Sequence, residues 1–423
     1  MSEALEKAAA AKRAAYELGQ ASGPARTAAI LAAAQAVDES RRAVLAANAR
    51  DMARGRESGL SDGLLDRLLL DDARIDSIIA GMREVASQAD PIGAVVGGSV
   101  LDSGIRLERV TVPLGVVAIV YEARPNVTAD AICLCLRSGN ACVLRGGSAA
   151  HDSCAALAEA CRRGIAKSGL PADCALIIES PDRAQTTELM RANGLVDVLI
   201  PRGGHSLIRA CVENATVPTI ETGEGNCHVY VHAGADFEMA CRIIMNAKTQ
   251  RTGVCNAMES LLVDRAIAPK FLPGLLGRLA DAGVLVHGDE ETLAIARADA
   301  EESGASPVPA TSEDWGREYL ALELSCKVVS GLDEAIEHIN RYGTRHSECI
   351  VTNDLAASEA FLARVDAAAV YVNASTRFTD GGMFGLGAEI GISTQKLHVR
   401  GPMGASALTT TKCILRGDGQ VRG

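Results

Sequence analysis

The 423 residues are 48% hydrophobic and 22% charged, which gives enough apolar material for a large core and excludes a disordered or low-complexity chain. Lys plus Arg number 42 against 53 Asp plus Glu, a net charge of -11 with no basic tract, which argues against a nucleic-acid partner. The longest apolar stretches, Gly115 to Tyr121 and Ala129 to Leu136, fall far short of the about 20 residues a bilayer span needs, so no membrane segment is expected.

Met1 to Arg13 is charged and Ala-rich, without the apolar core and cleavage site of a secretory signal, which predicts a cytoplasmic protein. From Ser2 to about Asp90, Leu at three- and four-residue spacing and turn signals at Ser22-Gly23-Pro24 and Ser58-Gly59 predict helix upon helix. Ala94 to Leu101 and Ile105 to Val112, joined around Asp102-Ser103-Gly104, read as a hairpin. After Pro113, strands at Val116 to Tyr121, Ala141 to Leu144, Ala175 to Ile178 and Val196 to Ile200 alternate with helices from Thr128, from Ala149 to Lys167 and around Asp182 to Ala192. This βαβ rhythm predicts a parallel, doubly wound sheet.

A second α/β series begins near Val229, with helices at Asp236 to Asn246, Ile267 to Asp281, Leu332 to Tyr342 and Leu355 to Val365. Its strands are expected at Ser260 to Val263, Leu320 to Val329, Cys349 to Thr352 and Ala368 to Val372. A Gly-rich loop, Gly381 to Gly391, precedes a last strand at Ala407 to Arg416, which is expected to pair with the hairpin of another subunit. The predicted fold class is therefore α/β, with two doubly wound lobes flanking a cleft and a small β arm.

The 13 cysteines are odd in number, irregularly spaced and often inside apolar runs, as in Ile132-Cys133-Leu134-Cys135-Leu136, which predicts reduced thiols. There is no Cys-x-x-Cys and no His-Glu-x-x-His, so a metal site has no support in the sequence. Walker-type and Gly-x-Gly-x-x-Gly phosphate loops are also missing. Cys255 differs from the other thiols. It sits in the polar run Lys248 to Asn256, between a predicted helix and a predicted strand, where Lys248 and Arg251 would favour a nucleophilic thiolate and Gly253 permits close backbone approach. The alternative is a small buried hydrophobe.

Asn126 follows a predicted strand in Tyr121-Glu122-Ala123-Arg124-Pro125-Asn126, and it either donates to a developing oxyanion or merely starts the next helix. Leu144-Arg145-Gly146-Gly147-Ser148 and Pro201-Arg202-Gly203-Gly204-His205-Ser206 are strand-to-helix turns, suited to a phosphate or ribose group or simply to turning the chain. Arg124, Ser393, Thr394 and Arg400 are loop residues able to meet a substrate carboxylate, or solvated surface.

Taken in order, Arg124-Pro125-Asn126, Leu144 to Ser148, Glu221 to His228 and Thr252-Gly253-Val254-Cys255 resemble the landmarks of the aldehyde dehydrogenase superfamily. Val329 to Ile350, with His338, Tyr342-Gly343-Thr344 and His346-Ser347-Glu348, and Gly391 to His398 followed by Arg400 to Gly404, are similar to the gamma-glutamyl phosphate reductase family within it. The resemblance implies NADP(H)-dependent reduction of L-glutamyl 5-phosphate to L-glutamate 5-semialdehyde through a Cys255 thioester, with Asn126 at the oxyanion. It implies that Arg145, Gly147 and Ser148 face the adenosine ribose, that Gly203, Gly204, His205 and Ser206 run beneath the pyrophosphate, and that Glu318 reaches the nicotinamide ribose. Arg145, with no acidic residue between Gly146 and Ala150, favours NADP over NAD. Glu221 matches the glutamate that activates water in oxidising members; a reductase must avoid thioester hydrolysis, so Glu221 is grouped with the cofactor-contacting residues.

The matching domains are 1–93 with 113–226 for cofactor, 227–372 for catalysis, 373–404 returning to the cofactor domain, and 94–112 with 405–423 as an oligomerisation arm. A homo-oligomer is expected, and association with the glutamate 5-kinase that would supply the acyl phosphate is left open. The competing readings are a CoA-acylating aldehyde dehydrogenase and a cysteine acyltransferase without nicotinamide.

Overall fold

The computed structural model describes residues 2–122, 124–298 and 304–422, with the side chains of Asp62 and His205 outside the description. The chain divides into two compact units, Met1–Thr222 with Gly385–Gly391 and Pro402–Gly423, and Gly223–Phe384 with Ile392–Gly401. The segment expected to return to the first unit is thus apportioned between both.

In the first unit five helices come first, Glu3–Gln20, Gly23–Glu39, Arg41–Glu57, Asp62–Leu68 and Asp72–Ser87. Their starts follow local chemistry, with the side chains of Ser2, Ser22 and Asp71 accepting from the backbone N–H groups of Leu5, Ala25 and Arg74. The alanines let these helices pack closely. A side chain at Gly164, in helix His151–Lys167, would run into the backbone of Ala32 and Ala33.

The strands of this unit are β1 (Val95–Val100), β2 (Arg106–Pro113), β3 (Val116–Tyr121), β4 (Ala141–Gly146), β5 (Ala175–Ile177) and β6 (Val198–Arg202). Strands β3 to β6 form a parallel sheet in the order β5-β4-β3-β6, and β3 and β4 are buried along their whole length, which explains their unbroken apolar runs. The chain winds outward from β3 through β4 to β5 and then returns to the other side of β3. Strands β3 and β6 therefore flank the point where the strand order reverses, and ligands bind at the carboxyl ends of the strands at such points.

The second unit contains β7 (Cys227–Val231), β8 (Met258–Asp264), β9 (Leu285–Gly288), β10 (Val308–Pro309), β11 (Glu323–Val329), β12 (Ser347–Val351) and β13 (Ala369–Val372), a parallel sheet in the order β10-β9-β11-β8-β7-β12-β13. Alternate residues feed opposite faces. Val229, Val231, Leu261, Val263, Cys349 and Val351 enter one core, while Tyr230, Leu262 and Ile350 enter the other. Strands β9 and β10 and the helix Glu290–Ala298 between them were not anticipated.

Short strands β14 (Ile392–Ser393) and β15 (Gly401–Pro402) precede β16 (Thr409–Arg416). β16 pairs antiparallel with β2 of the same chain, from Thr409 opposite Pro113 to Arg416 opposite Arg106, giving the sheet β1-β2-β16. This corrects the expected pairing with another subunit. β2 has two edges, its hairpin partner takes one, and the chain's own terminus takes the other, closed by Arg416 to Glu108 at 2.6 Å.

Candidate active site

Of the 13 cysteines, eleven are buried; Cys255 is partly accessible and Cys413, on β16, is exposed. Burial raises five of these thiols, Cys154 and Cys211 to about 11 and Cys161, Cys326 and Cys349 to about 12, which removes those five as nucleophiles near neutrality. Cys255 lies in the turn between helix Phe237–Thr249 and β8.

That turn is clamped from several sides. Asn256 Nδ2 donates to Thr379 O at 2.9 Å, and Thr376 Oγ1 donates to Asn256 O at 2.8 Å. The buried Cys227 Sγ lies 3.1 Å from Cys255 O. Gly225 passes so close that any side chain there would collide with the Cys255 backbone. The Gly225 N–H donates to Glu318 Oε1 at 2.9 Å, which ties Glu318 to the same loop. The neighbours Cys227 and Asn256 lie at the amino end of β7 and just before that of β8, opposite the end at which open α/β sheets usually present ligands.

Lys248 does not stand in the loop. The helix runs on to Thr249, and Lys248 is fully buried with its Nζ 2.5 Å from Glu259 Oε2. Burial lowers the Lys248 pKa and raises that of Glu259 to about 7, while each partner's charge opposes the other's shift. The cation invoked to activate Cys255 is thus engaged by a carboxylate.

In the first unit the candidates gather at the carboxyl ends of β3, β4 and β6. Asn126 is exposed and is the first residue of helix Asn126–Arg137, so it both starts the helix and presents its amide. Its Nδ2 donates to Asp130 Oδ2 at 3.0 Å. Arg124 is partly buried, and its backbone N–H donates to Glu122 O at 2.6 Å. Arg145 is buried, with Nη1 on Gly146 O at 2.6 Å and Nη2 on Pro181 O at 3.2 Å, so the guanidinium ties down its own turn. Gly147 leads into a short 3-10 turn with Ser148 exposed on it.

Gly203, Gly204 and Ser206 are exposed at the start of helix His205–Asn214, and the His205 side chain lies outside the described residues. The Gly204 N–H donates to Glu122 Oε2 at 3.1 Å, so a carboxylate rests where an anion would meet the helix terminus. Glu221 is partly buried beside Thr222, whose Oγ1 donates to Pro201 O at 2.9 Å.

In the second unit, Ser393 is fully buried and its hydroxyl has no hydrogen-bond partner among the described residues. The side chain of Thr394 packs on Gly223. Arg400 Nη1 pairs with Asp366 Oδ1 at 2.8 Å, and Lys396 joins the same carboxylate at 2.7 Å. Sequence reading did not single out Asp130, Glu122 or Glu259. The four-residue step from Asn126 to Asp130 was the one usable signal, since it puts both on one helix face. No group of three or more His, Cys, Asp or Glu side chains able to hold a metal ion occurs among the described residues, and no described helix is long and apolar enough to cross a membrane.

Residues 1–298 match the aldehyde dehydrogenase family. The gamma-glutamyl phosphate reductase of Moorella thermoacetica is 56% identical over 398 residues, which cover 93% of this chain and 92% of that protein. The Thermobifida fusca protein of the same name is 51% identical, covering 97% of each. The crystal structure of gamma-glutamyl phosphate reductase from Thermotoga maritima superposes over 100% of both chains, with a TM-score of 0.95 and 46% identity. The fold is the aldehyde dehydrogenase-like α/β fold, and the chain belongs to the aldehyde dehydrogenase family and, within it, to the gamma-glutamyl phosphate reductases.

Proposed function

We propose that this chain reduces L-glutamyl 5-phosphate to L-glutamate 5-semialdehyde, with release of phosphate, using NADPH. The observation that carries the chemistry is the accessibility of Cys255. It is the one thiol that is both partly open and set in a turn gripped on all sides, while eleven others are buried. A fixed, reachable sulfur suits attack on an acyl carbon.

The Cys255 thiolate attacks the acyl carbon, and an oxyanion forms and collapses as phosphate leaves, which gives a thioester on Cys255. When bound, NADPH supplies the hydride that carries this thioester to the aldehyde level. Collapse of the thiohemiacetal then frees the semialdehyde and returns the thiolate. Asn126 and the backbone N–H of Cys255 stabilise both oxyanions, each worth about 3 kcal/mol where a donor is well placed.

A dinucleotide fits the first unit, because Gly203, Gly204 and Ser148 present open backbone and a hydroxyl at the carboxyl ends of β6 and β4, beside the reversal of strand order. Gly203, Gly204, His205 and Ser206 would hold the pyrophosphate, Arg145, Gly147 and Ser148 the adenosine ribose, and Glu318 the nicotinamide ribose, with Glu221 also on the cofactor side. Arg124, Ser393, Thr394 and Arg400 are assigned to the amino-acid end of the substrate; the Asp366 pairing of Arg400 leaves its remaining nitrogens for that role. The first unit serves as cofactor domain and the second as catalytic domain. Copies associate through the sheet β1-β2-β16, on which Val95, Val96, Val100 and Leu415 are exposed. The protein works in the cytoplasm.

The test runs the reverse direction, with L-glutamate 5-semialdehyde, phosphate and NADP, following nicotinamide absorbance beside Cys255→Ala and beside NAD. Phosphate-dependent NADPH formation that vanishes in C255A is expected. A signal that requires CoA in place of phosphate overturns the assignment.

A further inference from the structure

We propose that Asp130 is a positioning residue for Asn126, its carboxylate taking one of the two hydrogens of the Asn126 amide and so aiming the other at the oxyanion. This rests on the oxyanion role given to Asn126 above.

The helix Asn126–Arg137 places Asp130 one turn after Asn126 on the same face, and Asn126 Nδ2 lies 3.0 Å from Asp130 Oδ2. Asn126 is exposed at the first position of the helix, so its side chain alone would sample several rotamers and both amide orientations. The two ends of the amide are opposite in function. Nδ2 donates and Oδ1 accepts, so a flipped amide would set a carbonyl oxygen against the developing negative charge. An ionised carboxylate only accepts, so Asp130 must face Nδ2 and exclude the flip. The second hydrogen on the same nitrogen is left to donate elsewhere.

The charged groups acting on Asp130 from other elements are Arg202, at the end of β6, and Glu389, in Gly385–Gly391. They are themselves paired, with Arg202 Nη2 3.7 Å from Glu389 Oε1. Burial pushes the Asp130 carboxyl up to about 7; the Asn126 bond and Arg202 draw it down, and Glu389 adds to the rise. A protonated Asp130 donates through its own O–H and can then face Oδ1 of Asn126, so the orientation of the amide is no longer dictated. Turnover should therefore fall as pH drops through the neutral range.

The reverse assay with NADP and phosphate, run from pH 5.5 to 9 on purified full-length variants, tests this. N126A should lower kcat about 100-fold, the effect of removing one oxyanion donor. D130A should lower kcat on the order of tenfold with KM for the semialdehyde near wild type, as expected for a misaligned group. N126A/D130A should be no slower than N126A, because the aspartate acts through the asparagine. D130N carries an amide that donates as well as accepts and does not titrate, so like the protonated aspartate it leaves the Asn126 amide undirected; it should run near the D130A rate and lack the acid limb near neutrality.

Wild-type kcat in D130A alongside a slow N126A overturns the positioning role and leaves the oxyanion reading standing. Losses that multiply in the double variant overturn it as well, since they reveal separate damage. Wild-type kcat in N126A overturns the reading beneath it. Should D130A fail to fold, D130N decides, and an unchanged acid limb in that variant overturns the proposal.

Discussion

Lys248 Nζ and Glu259 Oε2 lie 2.5 Å apart with both side chains fully buried, and the two residues bracket Cys255 along the chain. Glu259 Oε1 also accepts from the Leu320 N–H at 3.3 Å, so the pair joins the end of helix Phe237–Thr249, the start of β8 and the segment after Glu318. Removing one member strands a charge in the core, which costs about 3–5 kcal/mol for a buried pair. K248M and E259Q should each lower the thermal midpoint strongly, and K248M/E259L should recover much of the loss. The melting curves of the three variants check this, and single variants as stable as wild type would show that the pair is not structural.

A different carboxylate sets an acid limit on stability. Glu334 accepts from Lys327 Nζ, the Ser330 N–H and the Ser330 hydroxyl, each at 2.8 Å. The Lys327 bond is the largest cause drawing its pKa down to about 2, with the Ser330 bonds helping and partial burial opposing. A depressed carboxylate contributes stability that is fully present above its unfolded pKa of about 4.5 and is lost as pH falls from there toward 2. With solvent screening of this part-exposed pair, about 1–2 kcal/mol is at stake. Urea midpoints between pH 6 and 3 should fall less steeply in E334Q than in wild type; parallel curves would count against the assignment.

The strands were legible where burial on both faces writes an unbroken apolar run, so Val116 to Tyr121 was delimited correctly from sequence alone. The unanticipated β9 and β10 are strands of four and two residues with partly exposed positions, too short for a periodic signal. Cys255 stood out because a polar context differs from the apolar runs around the buried thiols. Lys248 was misread for a physical reason: a lysine looks solvent-bound until its partner is known, and Glu259 lies across a turn. The Asn126 to Asp130 spacing was visible, but its meaning depends on a helix starting at Asn126 instead of Thr128.

The carboxylate of Glu122 gives a prediction about cofactor affinity. It accepts from the Gly204 N–H at 3.1 Å, at the start of helix His205–Asn214, so it occupies a donor that a pyrophosphate would use and opposes its charge. Losing that competition should gain about 1 kcal/mol. E122A should bind NADP roughly fivefold more tightly in a fluorescence titration, a factor that corresponds to that energy. Weaker binding would mean that the pyrophosphate does not use this turn.

Gly225 gives the sharpest test of how the nucleophile is held. A methyl group there would collide with the Cys255 carbonyl carbon and oxygen, which are backbone atoms that no rotamer change can move, so the whole turn must shift. The shift would also disturb the Gly225 N–H bond to Glu318 and the approach of Cys227 to Cys255 O. Displacing a catalytic group by about 1 Å costs on the order of 100-fold in rate. G225A should therefore lose about that much turnover while keeping a folded core, because the collision is confined to a loop. Brief alkylation followed by mass spectrometry supplies an independent readout. In wild type, Cys255 and Cys413 should label first, since the other eleven thiols are buried. In G225A the labelling rate of Cys255 should change while that of Cys413, on the distant sequence segment of β16, stays fixed. A G225A variant with wild-type turnover and an unaltered Cys255 rate would show that the loop absorbs a methyl group without moving the sulfur.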